Sequence, residues 1–164
     1  TKNPYFQFHS FKKELYSIKT NNTSDINTFV KQNVSIKPPR FVVTDTSNLE
    51  FKNFPHYWNC FYRNILHFIP NIIVVKYEDL LFNTMSVLDS LKKYMPVKNI
   101  NIEETVNKII DTPSKQSGKP RFGDSAKMYY DPTNIPTLFN HDTFQWINVN
   151  LDCDVMKAVD YSFN

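Results

Sequence analysis

The sequence predicts an α/β protein: an incomplete parallel sheet flanked by helices, mostly helical across these residues. Three observations carry this. Asn71-Ile72-Ile73-Val74-Val75-Lys76-Tyr77 is a β-branched run with no polar alternation until its end, the pattern of a strand buried on both faces of a parallel sheet. Segments of helical periodicity stand before and after it, giving the order helix, strand, helix. Only two glycines occur in 164 residues, too few for turn-rich sandwiches, small barrels or propellers.

Composition sets the outer bounds. With 41% apolar and 15% aromatic residues against 21% charged ones, most of the chain is too rich in large side chains to be disordered. Lys and Arg number 19 against 16 Asp and Glu, a net +3 that suits a local anion site and falls far short of the basic stripe of a nucleic-acid binder. No GxGxxG or GxxxxGK[ST] loop is present. Cys60 and Cys153 fit reduced thiols at least as well as a disulfide, which slightly favours a cytoplasmic setting. The apolar runs are far below the ~18 residues of a membrane span, so no span is expected in this chain.

Taken in order, Asn3-Pro4 pairs an N-cap residue with proline at the first helical position, and Phe6, Phe8, Phe11, Leu15 and Ile18 share a helical face. Residues 4–19 therefore read as helix. Residues 20–40, with Asn-Asn-Thr-Ser-Asp and Lys-Pro-Pro-Arg, read as a long connection holding one helical turn. Phe41-Val42-Val43 reads as a short strand. Tyr57, Phe61, Ile65 and Phe68 line one face of a helix over 57–68 that Pro70 ends. Past the buried strand, Asp79 is expected to cap a helix over 80–94 (Leu80, Leu81, Met85, Leu88, Leu91), closed by Pro96. Another helix is expected over 103–110 and a loop region with four prolines over 112–136. One or two amphipathic helices over 137–160 would bury Phe139, Phe144, Ile147, Leu151, Val155 and Val159.

A central parallel strand needs hydrogen-bonded neighbours on both sides, and this inventory supplies at most one or two short ones. Thr1-Lys2 is therefore expected to be the tail of another strand, and residues 1–164 the carboxyl-terminal portion of a single larger α/β domain.

Two clusters carry chemistry. Lys2-Asn3-Pro4 through Ser10 places a cation and a hydroxyl beside helix-N-terminal amides, a setting for an anion; the alternative is a solvated Lys and a Ser bonded back to its own helix. Lys76-Tyr77-Glu78-Asp79-Leu80 lies at the carboxyl end of the β-branched run, where open α/β sheets bind ligands; the alternative is a helix cap, an ion-pair partner and an aromatic lid on the core. In this order, with Tyr57-Trp58-Asn59-Cys60-Phe61-Tyr62 just before the strand, the clusters resemble the sulfotransferase family that uses 3′-phosphoadenosine 5′-phosphosulfate (PAPS). That family binds the donor's 3′-phosphate with an Arg-Asn-Pro segment and a Ser eight positions beyond the Arg, and Lys2-Asn3-Pro4 and Ser10 have this spacing. Its Tyr-Glu-Asp-Leu signature is similar to Tyr77-Glu78-Asp79-Leu80, the Tyr lying near the adenine. Asp111-Thr112-Pro113-Ser114-Lys115 resembles its adenine-contacting segment through Thr112. Gly118-Lys119-Pro120-Arg121-Phe122-Gly123-Asp124 resembles its last phosphate-gripping segment through Lys119 and Gly123-Asp124, with Arg121 a substitute cation.

The resemblance implies a P-loop-NTPase-like sulfotransferase fold. It also implies transfer of a sulfuryl group from PAPS to a hydroxyl or amine on a small molecule or glycan. The cofactor-binding residues would be Lys2, Ser10, Tyr77, Thr112, Lys119 and Arg121, with no metal and no catalytic residue in this chain. The family's phosphosulfate-binding loop and general base have no counterpart here, so these residues alone are expected to be inactive. His9, His56, His67 and His141 are expected on helix faces or in solvent, and Trp58 and Trp146 as core anchors. Lys2 stands where the family has Arg, a point charge in place of a two-donor fork. If helix began at Asn3, Ser10 would sit about 10 Å along the axis, beyond one phosphate's reach, so residues 3–6 are expected to form a turn with helix beginning near Gln7. Two other readings remain: a catalytically inactive relative that acts as a binding module, and another P-loop-type transferase such as a nucleotide kinase.

Overall fold

Asn3 and Pro4 start the first helix, α1 (Pro4–Lys13), in the computed structural model, which describes residues 1–13, 18–20, 25–36, 48–94 and 124–163. Asn3 Oδ1 accepts from the Tyr5 N–H at 3.1 Å, and Asn3 O takes the Gln7 N–H at 2.9 Å as the first helical bond. The turn expected over residues 3–6 is thus helix instead, because proline's fixed φ suits the first position and Asn3 satisfies a donor that helix initiation would leave open. Ser10 consequently lies two turns past Asn3. The helix expected to reach residue 19 has already given way to a strand at Ile18–Lys19.

The chain divides into two compact units, one made of residues 1–2 and 75–134, the other of 3–74 and 135–164. In the second unit α1 is followed by β1 (Ile18–Lys19), α2 (Ile26–Phe29), β2 (Val34–Ile36), β3 (Leu49–Phe51) and α3 (Phe54–Phe68), and later by α7 (His141–Asn150) and α8 (Cys153–Ala158). The strands form an antiparallel sheet in the order β1-β2-β3, with Ile18 opposite Ile36 and Ser35 opposite Glu50. Ser35 Oγ donates to Glu50 Oε1 across that pair at 2.7 Å. The chain is therefore mostly helical with a small sheet, α/β only in the general sense, and its described sheet is antiparallel where a parallel one was expected. Hairpin-like pairing of strands two or three residues long leaves little hydrophobic periodicity to read.

The core of this unit is aromatic. Phe54, fully buried, stands 4.5 Å from the ring of Phe29, 5.8 Å from Phe11 and 6.2 Å from Phe8, which ties α3 to α1 and α2. Asn53 caps α3 by accepting from the His56 N–H at 2.8 Å, so the helix starts three residues ahead of the expected Tyr57. It ends at Phe68, before Pro70, and Asn71 follows in the left-handed region (φ 55°), which Asn tolerates better than most residues. Trp58 is a core anchor as expected, whereas Trp146 is half-buried with the Lys31 ammonium 5.5 Å from its ring. Phe139, Ile147, Leu151, Val155 and Val159 are buried on and beside α7 and α8, whereas Phe144, expected in the same set, is half-buried; the amphipathic pattern over 137–160 does produce two helices.

The first unit contains α4 (Tyr77–Phe82), α5 (Thr84–Lys92), α6 (Asp124–Tyr129) and a 3-10 turn that begins at Pro132. The single helix expected over 80–94 is broken at Asn83, where Thr84 Oγ1 bonds back to Leu80 O at 2.6 Å. Asp79 does not cap. It lies in the first turn of α4, where its charge suits the helix dipole, and Lys76 Nζ pairs with it at 3.3 Å. The loop expected over 112–136 contains α6. The strand expected at 41–43 and the helix expected at 103–110 lie outside the described residues.

No strand is assigned to residues 72–76, of which Lys76 is extended, and Ile72 and Ile73 are 38% and 45% exposed, not buried on both faces. Burial of a parallel strand comes from its neighbours. The end of this run pairs through the backbone with Thr1. Thr1 N donates to Val75 O at 2.7 Å, and Thr1 O accepts from the Tyr77 N–H at 2.7 Å. Those two bonds have the pattern of a single parallel rung between Thr1 and Lys76, but no strand is assigned to either residue, so the strand tail expected at Thr1-Lys2 is not among the described strands. No helix among the described residues is long and apolar enough to cross a membrane.

Candidate functional site

The parallel rung fixes where Lys2 goes. Because Thr1 O holds the Tyr77 N–H, the residue after Thr1 leaves the backbone beside the first residue of α4. Two residues 75 positions apart in sequence thus become neighbours. Lys2 Nζ lies 5.6 Å from the Tyr77 ring centroid and 4.5 Å from that of Tyr130, and it donates to Tyr130 Oη at 2.7 Å. The Tyr77 and Tyr130 rings meet edge to face, 4.9 Å apart at 75°. Tyr129 also packs edge to face against Tyr130, 4.7 Å away at 87°.

Lys2, Tyr77 and Tyr130 are each half-buried. Burial pushes the Tyr77 phenol up, and the neighbouring Tyr130 and Glu78 push the same way, so this ring stays neutral and keeps its π-face attractive to the ammonium. Glu78, the second residue of α4, is buried. Chemically the group offers a fixed cation partly out of water, a hydroxyl touching it, and two aromatic surfaces. Such a set can neutralise an anionic group and pack a planar ring beside it.

Of the six residues expected to bind a cofactor, Lys2 and Tyr77 are brought together. Ser10 is half-buried on α1, in the unit with residues 3–74. Thr112, Lys119 and Arg121 lie outside the described residues. Tyr130 is the member that sequence reasoning missed. Its signal is the tandem Tyr129-Tyr130 shortly after the basic segment with Lys119 and Arg121, within the stretch expected to be loop.

A second group lies at the α3–α8 packing. Arg63, Leu66, His67, Asp152, Asp154, Val155 and Ala158 line an open cleft of about 400 Å³. Asp152, Cys153 and Asp154 offer ligand atoms within 4.8 Å of one another. These carboxylates already have structural work. Asp152 caps α8 through the Asp154 and Val155 N–H groups at 2.9 and 3.1 Å, and it pairs with Arg63. The Val155 N–H, aided by Arg63, holds its carboxyl below the usual range against the opposing effect of burial. Cys60 and Cys153 are free thiols. His56 accepts from the Lys52 N–H at 3.2 Å, and His67 and His141 are exposed, as helix-face and solvent roles require.

No family model, no curated protein and no solved structure matches this chain.

Proposed function

We propose that this chain acts in sulfuryl transfer from PAPS to a hydroxyl or amine acceptor, a small molecule or a glycan. In this reading it is the carboxyl-terminal portion of a P-loop-like sulfotransferase domain and carries the 3′-phosphate and adenine contacts of the donor. The observation that carries the reading is the meeting of Lys2 and Tyr77 at the end of the β-branched run. The resemblance assigns exactly these two positions to the phosphate and the base, and they lie at opposite ends of 75 residues of sequence. Lys2 neutralises the phosphate and Tyr77 packs beside the ring. Both act on a part of the donor remote from the transferred group, so their contribution is to binding and orientation.

Isothermal calorimetry with adenosine 3′,5′-bisphosphate tests this. The chain is expected to bind it, and Lys2→Ala to weaken binding by about tenfold or more, since a charge-assisted contact is lost. Tyr77→Ala is expected to weaken it too. Absence of binding, or affinity indifferent to both substitutions, overturns the reading. Binding without transfer is the expected result for these residues, since the phosphosulfate-binding loop and general base have no counterpart among them, so calorimetry tests the nucleotide site and not the transfer step.

A further inference from the structure

A lysine alone grips phosphate loosely. Its ammonium is a compact point charge that swivels on a four-carbon stem, whereas orienting a phosphate requires two donors side by side. The structure places a second donor, a hydroxyl, where the lysine needs one. Tyr130 Oη stands 2.7 Å from Lys2 Nζ, comparable with the separation of two oxygens on one phosphate group. The Tyr130 ring is itself braced by Tyr77 and Tyr129 at 4.9 and 4.7 Å, both edge to face, so the hydroxyl is not free to drift from the ammonium. A phenol that accepts from an ammonium is also polarised towards donating its own proton.

We propose that Lys2 and Tyr130 form one composite anion grip, in which the Lys2 ammonium and the Tyr130 hydroxyl each donate to a different oxygen of the same phosphate. Tyr130 is then a specificity-determining residue for a nucleotide with a phosphate on its ribose 3′ position. This rests on the proposed nucleotide reading and deepens it. The pair does with two side chains what one guanidinium fork does alone.

Calorimetry on the full chain tests the pairing with two probes, adenosine 3′,5′-bisphosphate and adenosine 5′-monophosphate. Tyr130→Phe keeps the ring and the cation–π contact but removes the donor. It is expected to weaken bisphosphate binding by about 3- to 10-fold, the size of one hydrogen bond, and to leave the monophosphate unchanged. Adding Lys2→Arg to Tyr130→Phe restores the second donor, so the double variant is expected to recover bisphosphate affinity. A merely structural role for Tyr130 would not be rescued in this way. If wild type binds the bisphosphate, Lys2→Ala abolishes selectivity for it, and yet Tyr130→Phe changes nothing or its loss is not rescued by Lys2→Arg, the composite grip is overturned while the nucleotide reading stands. If wild type does not bind the bisphosphate, both fall together.

Discussion

Asn59 shows how much one side chain can organise here. From the middle of α3 its Nδ2 donates to Asn150 O at 2.8 Å, and its Oδ1 accepts from the Asp152 N–H at 3.0 Å. Those backbone groups flank Leu151, where α7 ends and α8 begins, so one amide holds the junction to α3. Asn59→Ala leaves both without their partner and is expected to cost about 1–3 kcal/mol in urea unfolding. Asn59→Asp keeps the acceptor and loses the donor, so its cost should fall between wild type and Asn59→Ala. Equal stability of all three proteins would mean that water replaces the amide without loss. Lys2 belongs to the same scale: its position follows from a backbone rung and a tyrosine, neither of which is marked in its immediate sequence.

At the scale of elements, α3 is the hub of its unit, and Phe54 is where α1 and α2 converge on it. Its ring lies within 4.5–6.2 Å of Phe29, Phe11 and Phe8, and it is wholly out of solvent. Phe54→Ala removes the shared centre of that cluster and is expected to destabilise by about 3–5 kcal/mol, with Phe54→Leu markedly milder because most of the volume stays. Near-native stability of the alanine variant, measured by chemical denaturation, would mean that the cluster collapses to fill the space. The broken helix after Tyr77 is an element-level finding as well. Asn83 accepts the Val87 N–H at 3.1 Å through its carbonyl while its own N–H still bonds to Asp79 O at 2.7 Å, so α4 and α5 share one residue as end and beginning.

Over the whole molecule, the titrating groups define stability limits at both ends of the pH scale. Asp25 is held at about 2, below its ordinary 3.8, chiefly by the Thr28 hydroxyl and then by the Thr28 and Asn27 N–H groups; Asp131 and Asp152 are lowered too. A lowered carboxyl stabilises the fold fully above 3.8 and loses that contribution as pH falls from there through about 2. Tyr5 moves the other way. Burial raises its phenol well above the ordinary 10.0, and Tyr57 and Tyr77 are raised by the same cause. Their contribution is complete below 10 and declines as pH climbs past it, because the unfolded chain ionises first. Urea midpoints should therefore fall below about 4 and above about 10. In an ultraviolet titration of the nine tyrosines, Tyr5, Tyr57 and Tyr77 should ionise late and together with unfolding. All nine titrating near 10 with unchanged circular dichroism would contradict this burial.

Long amphipathic segments were legible from the chain alone. The existence of α3, the Pro70 stop, and the helices over 141–158 are written in local periodicity and in residues that cannot continue a helix, but the face expected on α3, Tyr57, Phe61, Ile65 and Phe68, is not the buried one: Phe61 and Phe68 are exposed, and the helix buries Phe54, Pro55 and Trp58. The Asn3-Pro4 helix start was legible from local signals as well, and the turn inferred in its place failed because it was argued from a ligand's reach against strong local chemistry. The antiparallel sheet was not legible, since strands of two and three residues carry no readable period. For the candidate site, the sequence by itself determined that Lys2 and Tyr77 are worth testing, because their spacing and flanking residues form a pattern. Tertiary structure alone decided that they meet and that Tyr130 joins them. The rung between Thr1 and Lys76 and the ring packing around Tyr130 are long-range contacts, and no residue type along the chain encodes a partner 75 or 128 positions away.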